Sequence, residues 1–429
     1  MNHWTACNGA VLFCTLCRKL PKHGEIVGIR FDEVNHMPTL RNFTNDDLLA
    51  YSRLCSICYS YPSTEEPQPK TEEQLRTMRG VFGDNGELLS AMTQHPFDSL
   101  FCGQPVKMCG IGGVVTDPTS RSGGNVRKIF ETDLPRMYEE GFVFSALYPF
   151  SYYFYGKFGY TWTEFWRNAE IDRDNLRKDL CKADEIIRIL PGEDDQGMRA
   201  IHEQYIADKQ LPVLRNDAAW ENLRTGTPWE KMKYAYVLRI GGKPVSYWMG
   251  QMEKQNRVGT MRILDMAWTC SEGMQAIFAM MRGMNEINQI AMRVYPGFDP
   301  RNMVTEAYDV TIPTPGNGMT RVVNVEKALS LLPAPAISGK VTICVTDEQI
   351  SNNNGCFTVS SDGNAPVVKK EDVPADIECN IQGLTALVVG RQNFKDTVDA
   401  GVVMVQTDMD LRFAEMLFGE RYIHMNRNF

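Results

Sequence analysis

Val114-Val115-Thr116-Asp117-Pro118-Thr119-Ser120-Arg121-Ser122-Gly123-Gly124-Asn125-Val126 is the stretch on which the fold turns. Its β-branched opening reads as the end of a strand, Asp117-Pro118 as a turn, and the small residues that follow as a loop. From Val126 the apolar residues Ile129, Phe130, Leu134, Met137 and Tyr138 recur on one face of an amphipathic helix. The first N–H groups of such a helix have no intrahelical partner and point to one spot, which suits a pyrophosphate. Gly123 and Gly124 let the backbone approach, and Arg121 supplies charge. An ordinary strand-to-helix turn fits the same residues, and the loop alone leaves both readings open. Gly110, Gly112 and Gly113 resemble a dinucleotide fingerprint but stand ahead of the strand instead of after it, so that reading is set aside.

Outward from this loop the chain alternates strands and helices. Leu40 to Phe43 reads as a strand. Thr44-Asn-Asp-Asp47 then resembles a capping box before helically spaced Leu48, Leu49, Tyr51, Leu54 and Cys58. Asp84-Asn85-Gly86 between two apolar runs predicts a hairpin. Phe97 to Cys102 turns at Gly103-Gln104-Pro105 into Val106 to Thr116, and a strand at Phe142 to Tyr148 follows the helix. The order partly recurs: strands at Tyr234 to Ile240, Val245 to Gly250 and Met261 to Trp268, then a helix from Ser271 to Ile287. Later strands are expected at Val341 to Thr346, Cys356 to Val359 and Ile377 to Ile381, with a helix near Asp408 to Phe418. The fold class is α+β (mixed α/β), with an N-terminal extension at 1–37 and domains at 38–165, 166–302 and 303–429.

Composition narrows the function classes. The 429 residues carry 45 Lys+Arg against 53 Asp+Glu, a net charge of −8. That balance disfavours a nucleic-acid binder that works by neutralising phosphates. No run of 18 apolar residues occurs, so no transmembrane helix is expected, and the basic cluster after Ala10 to Leu16 reverses the secretory order. A cytoplasmic protein is expected. The 12 cysteines read as reduced thiols. The pairs Cys14/Cys17 and Cys55/Cys58 could make a zinc site, but the helical spacing of the second pair favours a plain core reading, and no metal is expected.

The strand, Pro, Arg-x-x-Gly loop and helix resemble the acyl-CoA motif of the GNAT N-acetyltransferase superfamily. Phe144-Ser145-Ala146-Leu147-Tyr148-Pro149-Phe150 followed by Tyr155-Gly156-Lys157-Phe158-Gly159-Tyr160 narrows the likeness to the enhanced intracellular survival (Eis) family, over roughly residues 38 to 429. The resemblance implies tandem GNAT-like domains, the second degenerate, and a C-terminal sterol carrier protein type 2-like domain opening near Met319 to Leu329. It implies acetyl-CoA as cosubstrate, with Val114, Val115 and Thr116 pairing with the pantetheine amides. Arg121, Ser122, Gly123, Gly124, Asn125, Val126 and Arg127 would hold the pyrophosphate, and Tyr155 would lie beside the cofactor. Ser122 and Gly123 stand where family members often carry arginine. Tyr160 matches the general acid and the α-carboxylate of Phe429 the base, with His424 as rival. A homo-oligomer, possibly a hexamer, is implied as well.

Acetyl transfer to an amine requires a deprotonated ammonium and a protonated leaving thiolate. A phenol with an ordinary pKa near ~10 protonates a thiolate near ~8.5 only through placement. Tyr160 could equally be a core aromatic. In the second repeat, Thr269-Cys-Ser-Glu-Gly273 lacks the Arg-x-x-Gly pattern and is expected not to bind CoA; Met274, Met280, Met281 and Met284 read as core. The chain is therefore expected to be an acetyl-CoA-dependent N-acetyltransferase acting on a primary amine of a cationic small molecule or a lysine. The alternative is a non-catalytic CoA-sensing or lipid-carrying protein.

Overall fold

The computed structural model describes residues 38–63, 66–255, 258–312, 316–405 and 411–425. The extension at 1–37, with Cys14 and Cys17, and the last residues, with Phe429, lie outside them. The first hairpin forms as the Asp-Asn-Gly signal predicts: β1 (Thr39–Asn42) pairs with β2 (Met78–Phe82), and β2 with β3 (Leu88–Phe101). The single strand β3 covers two runs the sequence reads apart. It turns through Cys102 (φ 49°) and Gly103 (φ 73°), two left-handed residues whose twist matches the flanking strands, into β4 (Gln104–Thr116).

Beyond the helix Asn125–Glu139 come β5 (Phe144–Leu147), β6 (Thr161–Asp172), β7 (Glu185–Arg188), β8 (Lys233–Ile240), β9 (Lys243–Gln255), β10 (Val258–Trp268), β11 (Gln289–Val294) and β12 (Gly316–Val322). They form one sheet in the order β1-β2-β3-β4-β5-β12-β6-β11-β10-β9-β8-β7. Strand β6 is shared: Thr161 to Trp166 pair with β12, and Arg167 to Asp172 with β11. The sequence boundary at 165 therefore falls inside a strand that joins the two halves of this sheet. Similarly β12, read from sequence as the opening of the third domain, fills the gap between β5 and β6.

A second sheet is built from β13 (Gly339–Thr346), β14 (Gly355–Ser361), β15 (Val367–Glu371), β16 (Ile377–Asn380) and β17 (Met404–Val405), ordered β15-β14-β13-β16-β17. Ile343, Phe357, Leu384, Leu387, Phe394 and Phe418 fill its interior, and the same cluster continues into Phe101, Met108 and Phe144 of the first half. Cys344 stands opposite Cys356 in the β13–β14 register and forms a disulfide with it, correcting the expectation that all cysteines are reduced. The reason is register: pairing two strands sets residues 12 apart in sequence face to face.

The two bodies are pinned by a buried ion pair. Arg321 of β12 donates to Asp347 at 2.6 Å and to the Phe158 carbonyl at 2.6 Å; Asp347 also accepts from Asn353 and from the Gln349 and Ile350 amides. Among the described residues no helix is long and apolar enough to cross a membrane.

Candidate active site

Parallel pairing between β4 and β5 stops at Ile111 opposite Leu147. The β3–β4 register slips between Ala91 and Thr93, where Gly113 adopts φ +57° and a Cβ would collide with the Tyr51 hydroxyl. Past that bulge β4 leans away from β5 and leaves a cleft. Asp117 donates its backbone N–H to Leu89, so strand alternation turns the polar groups of Val114 and Thr116 toward the open edge. Side chains from the helix Leu48–Tyr59 cover that edge, with the Tyr59 hydroxyl donating to the Val114 carbonyl at 3.3 Å and the Cys58 thiol to Thr116 at 3.4 Å.

The loop at the cleft mouth has a short helical turn over Pro118–Ser120, capped by Asp117 onto the Thr119 amide. Ser122 (φ 66°) and Gly124 (φ 77°) are both left-handed, and Gly124 caps the helix Asn125–Glu139. The Lys128 N–H bonds the carbonyl of the capping Gly124, and the amides that precede Lys128 face the loop's concavity. Arg121 and Arg127 are exposed beside it, whereas Asn125 and Val126 are buried. The donor set fits a pyrophosphate.

Two tyrosines close the inner end. Tyr160 is 1% exposed and its hydroxyl lies 2.7 Å from Ser145 Oγ. Ser145 donates its own proton to the Cys109 carbonyl at 2.9 Å, so Tyr160 is the donor to Ser145. The Tyr155 hydroxyl makes no hydrogen bond among the described residues, yet it is not one of the enclosed polar atoms left without a partner. Its oxygen therefore keeps access to the cleft. Burial pushes both phenols well above their ordinary range, so both are protonated at neutral pH. Gly159, at φ +81°, lies where a Cβ would stand 2.7 Å from Ile381 and 2.9 Å from Arg321, which accounts for the glycine in the Gly159-Tyr160 step.

On the acceptor side, buried Glu164 accepts from the Tyr148 hydroxyl at 2.8 Å and from the Met425 amide at 2.6 Å. This contact docks the C-terminal segment against the first half, and the parallel bridge between Gln210 and Ile423 docks it against the second. His424, the rival base, is packed against Tyr295 and Tyr205, and burial, with Lys209 adding, pushes it down to about 3. Cys55 and Cys58 belong to no cluster of three metal-ligating groups among the described residues.

Residues 39–163 match the acetyltransferase (GNAT) domain model, and residues 325–426 match the sterol carrier protein domain model. The chain carries a GNAT acetyltransferase domain and has an Eis-like fold. Its fold is shared with a GCN5-related N-acetyltransferase from Anabaena variabilis (TM-score 0.80, 19% identity, 91% of this chain and 100% of that one). A probable N-acyltransferase from Enterococcus faecalis (0.78, 19%, 91% and 99%) and an Eis protein from Mycobacterium abscessus (0.75, 19%, 91% and 100%) share it too. No curated protein matches the chain.

The second half of this GNAT chain repeats the splayed strands. Pairing of β10 with β11 covers only Thr260 to Arg262, and the β9–β10 register slips between Ile263 and Asp265. Its helix Ser271–Arg282 starts too tightly for a phosphate: the Thr269 amide bonds Val245, and a Cβ on Gly273 would stand 2.7 Å from that same carbonyl. Sequence reading missed the network at this bulge. Arg215 donates to Asp265 at 2.7 and 3.1 Å, Tyr247 donates to Asp265 at 2.7 Å, and His202 Nδ1 lies 3.0 Å from the Tyr247 oxygen. Although burial opposes it, Arg215 holds the Asp265 carboxyl well below the usual carboxylate range. A carboxylate inside the apolar run Leu264-Asp-Met-Ala-Trp268 was the visible signal.

Proposed function

We propose that the chain is an acetyl-CoA-dependent N-acetyltransferase that acylates a primary amine by direct attack. The observation that carries this reading is the open β4 edge, which ends on a helix N-terminus at one side and faces the unpartnered Tyr155 hydroxyl at the other. Acetyl-CoA supplies the activated acetyl thioester. Val114 and Thr116 offer strand-like partners to the pantetheine amides once Tyr59 and Cys58 withdraw. The amides of Ser122 to Arg127, with the charges of Arg121 and Arg127, hold the pyrophosphate.

In the transfer, an amine that has given its ammonium proton to water bonds the carbonyl carbon while the carbon–sulfur bond breaks; the new amide nitrogen loses a second proton, and the thiolate gains one from a phenol that this second proton restores. Tyr155 is the phenol we assign to that last step, because its proton is uncommitted. Tyr160, the acid expected from sequence, spends its proton on Ser145 and serves as the wall behind Tyr155. Glu164, bonded to Tyr148, puts a carboxylate on the acceptor side that favours an approaching cation. His424, at about 3, is too weakly basic to take the ammonium proton. The carrier reading asks for an apolar hollow in the third domain, where Ile343, Phe357, Leu384, Leu387, Phe394 and Phe418 instead pack at 0–2% exposure.

Thiol release from acetyl-CoA with amine acceptors tests the reading. Tyr155→Phe is expected to lower kcat by about 10² to 10⁴ with little change in acetyl-CoA KM. Gly124→Glu is expected to abolish acetyl-CoA binding in calorimetry by setting a carboxylate at the helix N-terminus. Full activity in the first variant, or undiminished binding in the second, would sink the corresponding assignment.

A further inference from the structure

The cleft of the second half encloses a cavity of about 1200 Å³. It lies against the reacting centre, because Met425 on its wall bonds Glu164, which in turn holds Tyr148 at the end of β5. Trp166, Tyr205, Trp268, Tyr295 and Phe298 line it, each half-buried. Four basic side chains on the wall, Lys209, Arg215, Arg262 and Arg293, meet three acidic ones. Two of those acids are already engaged, Asp265 by Arg215 and Asp208 by Lys209. A polycation would lose hydration here with Glu170 as the one wall carboxylate outside those pairs, whereas an aromatic body would bury its ring against other rings.

The wall also carries unpartnered ring nitrogens: His202 Nε2, His424 Nδ1 and Trp166 Nε1 are buried without hydrogen bonds. His202 Nδ1 faces the Tyr247 oxygen at 3.0 Å and the Arg215 guanidinium at 3.5 Å, which leaves Nε2 as the ring nitrogen without a partner. Burial, aided by Arg215, pushes His202 down to about 4, so the ring is neutral at neutral pH. A buried, unpartnered ring nitrogen calls for a ligand group that can either donate or accept, as a hydroxyl does.

We propose that the acceptor is an aromatic monoamine with a ring hydroxyl, its ring lodged among the aromatic walls of this cavity and its amine directed past Met425 toward Glu164. The proposal rests on the acetyltransferase reading above. Thiol release is compared for tyramine, phenethylamine and spermidine. Tyramine is expected to have the highest kcat/KM, at least about 10-fold above spermidine. Trp268→Ala is expected to lower that value about 10- to 100-fold with acetyl-CoA KM unchanged, and His202→Phe to erase the preference for tyramine over phenethylamine. Preference for spermidine, or an unchanged tyramine rate in a folded Trp268→Ala variant, overturns the proposal and leaves the acetyltransferase reading standing. No thiol release with any amine, together with no binding of acetyl-CoA, overturns that reading itself.

Discussion

Ser145 distinguishes two neighbouring phenols by hydrogen-bonding one of them. Tyr160 and Tyr155 are both buried and both pushed above the ordinary phenol range, so pKa does not separate them. Hydrogen bonding does: Tyr160 donates to Ser145, whereas Tyr155 has no described partner. Tyr160→Phe is therefore expected to cost about 1 kcal/mol of stability for one lost buried hydrogen bond and to change kcat by less than about threefold. Denaturant unfolding and steady-state kinetics on the same preparation check this; a collapse of kcat in a stable variant would return Tyr160 to the acid's role. The motif containing both residues was plain in the sequence. Which hydroxyl was free was not, because Ser145 reaches Tyr160 from another strand.

At the scale of elements, glycine and buried charge explain why the pieces meet where they do. Gly159 combines φ +81° with close approach of Ile381 and Arg321, side chains from the C-terminal part of the chain. Gly159→Ala is expected to destabilise by about 2 to 4 kcal/mol, through a left-handed alanine plus a clash that two packed elements must relieve. Thermal unfolding reads it as a clear drop in Tm, and a shift under one degree would contradict the packing described. The helix Leu48–Tyr59 was legible from its spacing, and its observed capping box joins Thr44 to Asp47. Its capping of the β4 edge through Cys58 and Tyr59 was not legible, since periodicity shows a face but not the strand that face covers.

For the whole molecule, the Arg321–Asp347 pair links the catalytic half to the sterol-carrier-like body with both side chains 0% exposed. Asp347→Ala is expected to cost about 3 to 5 kcal/mol, because it strands a buried guanidinium, and pairing it with Arg321→Met should recover part of the loss. Urea unfolding of the single and double variants checks both statements. Stability should also depend on acid. Burial, helped by Arg215 at His202 and by Lys209 at His424, lowers His202 from 6.5 to about 4 and His424 from 6.5 to about 3. The unfolded chain thus binds more protons below pH 6.5, and the folded state loses stability as pH falls toward 3 to 4, by up to about 1.4 kcal/mol per pH unit for each histidine. Unfolding at pH 7 and pH 5 should show this loss, and His424→Gln should reduce it.

Local signals settled much of this protein by themselves. The hairpin at Asp84-Asn85-Gly86, the glycine loop opening a helix at Asn125, the repeat of strands before Trp268 and the acetyltransferase likeness all depend on residues within one or two turns of chain. Other features were decided only by the tertiary structure. Strand β12 enters the first sheet from more than a hundred residues away, β6 serves two halves at once, and Cys344 meets Cys356. The neutral His202 and His424 of the second cavity likewise owe their state to side chains from several elements. Hydrophobic periodicity records which face of an element is buried; the partner that buries it is chosen by the packing of the whole chain.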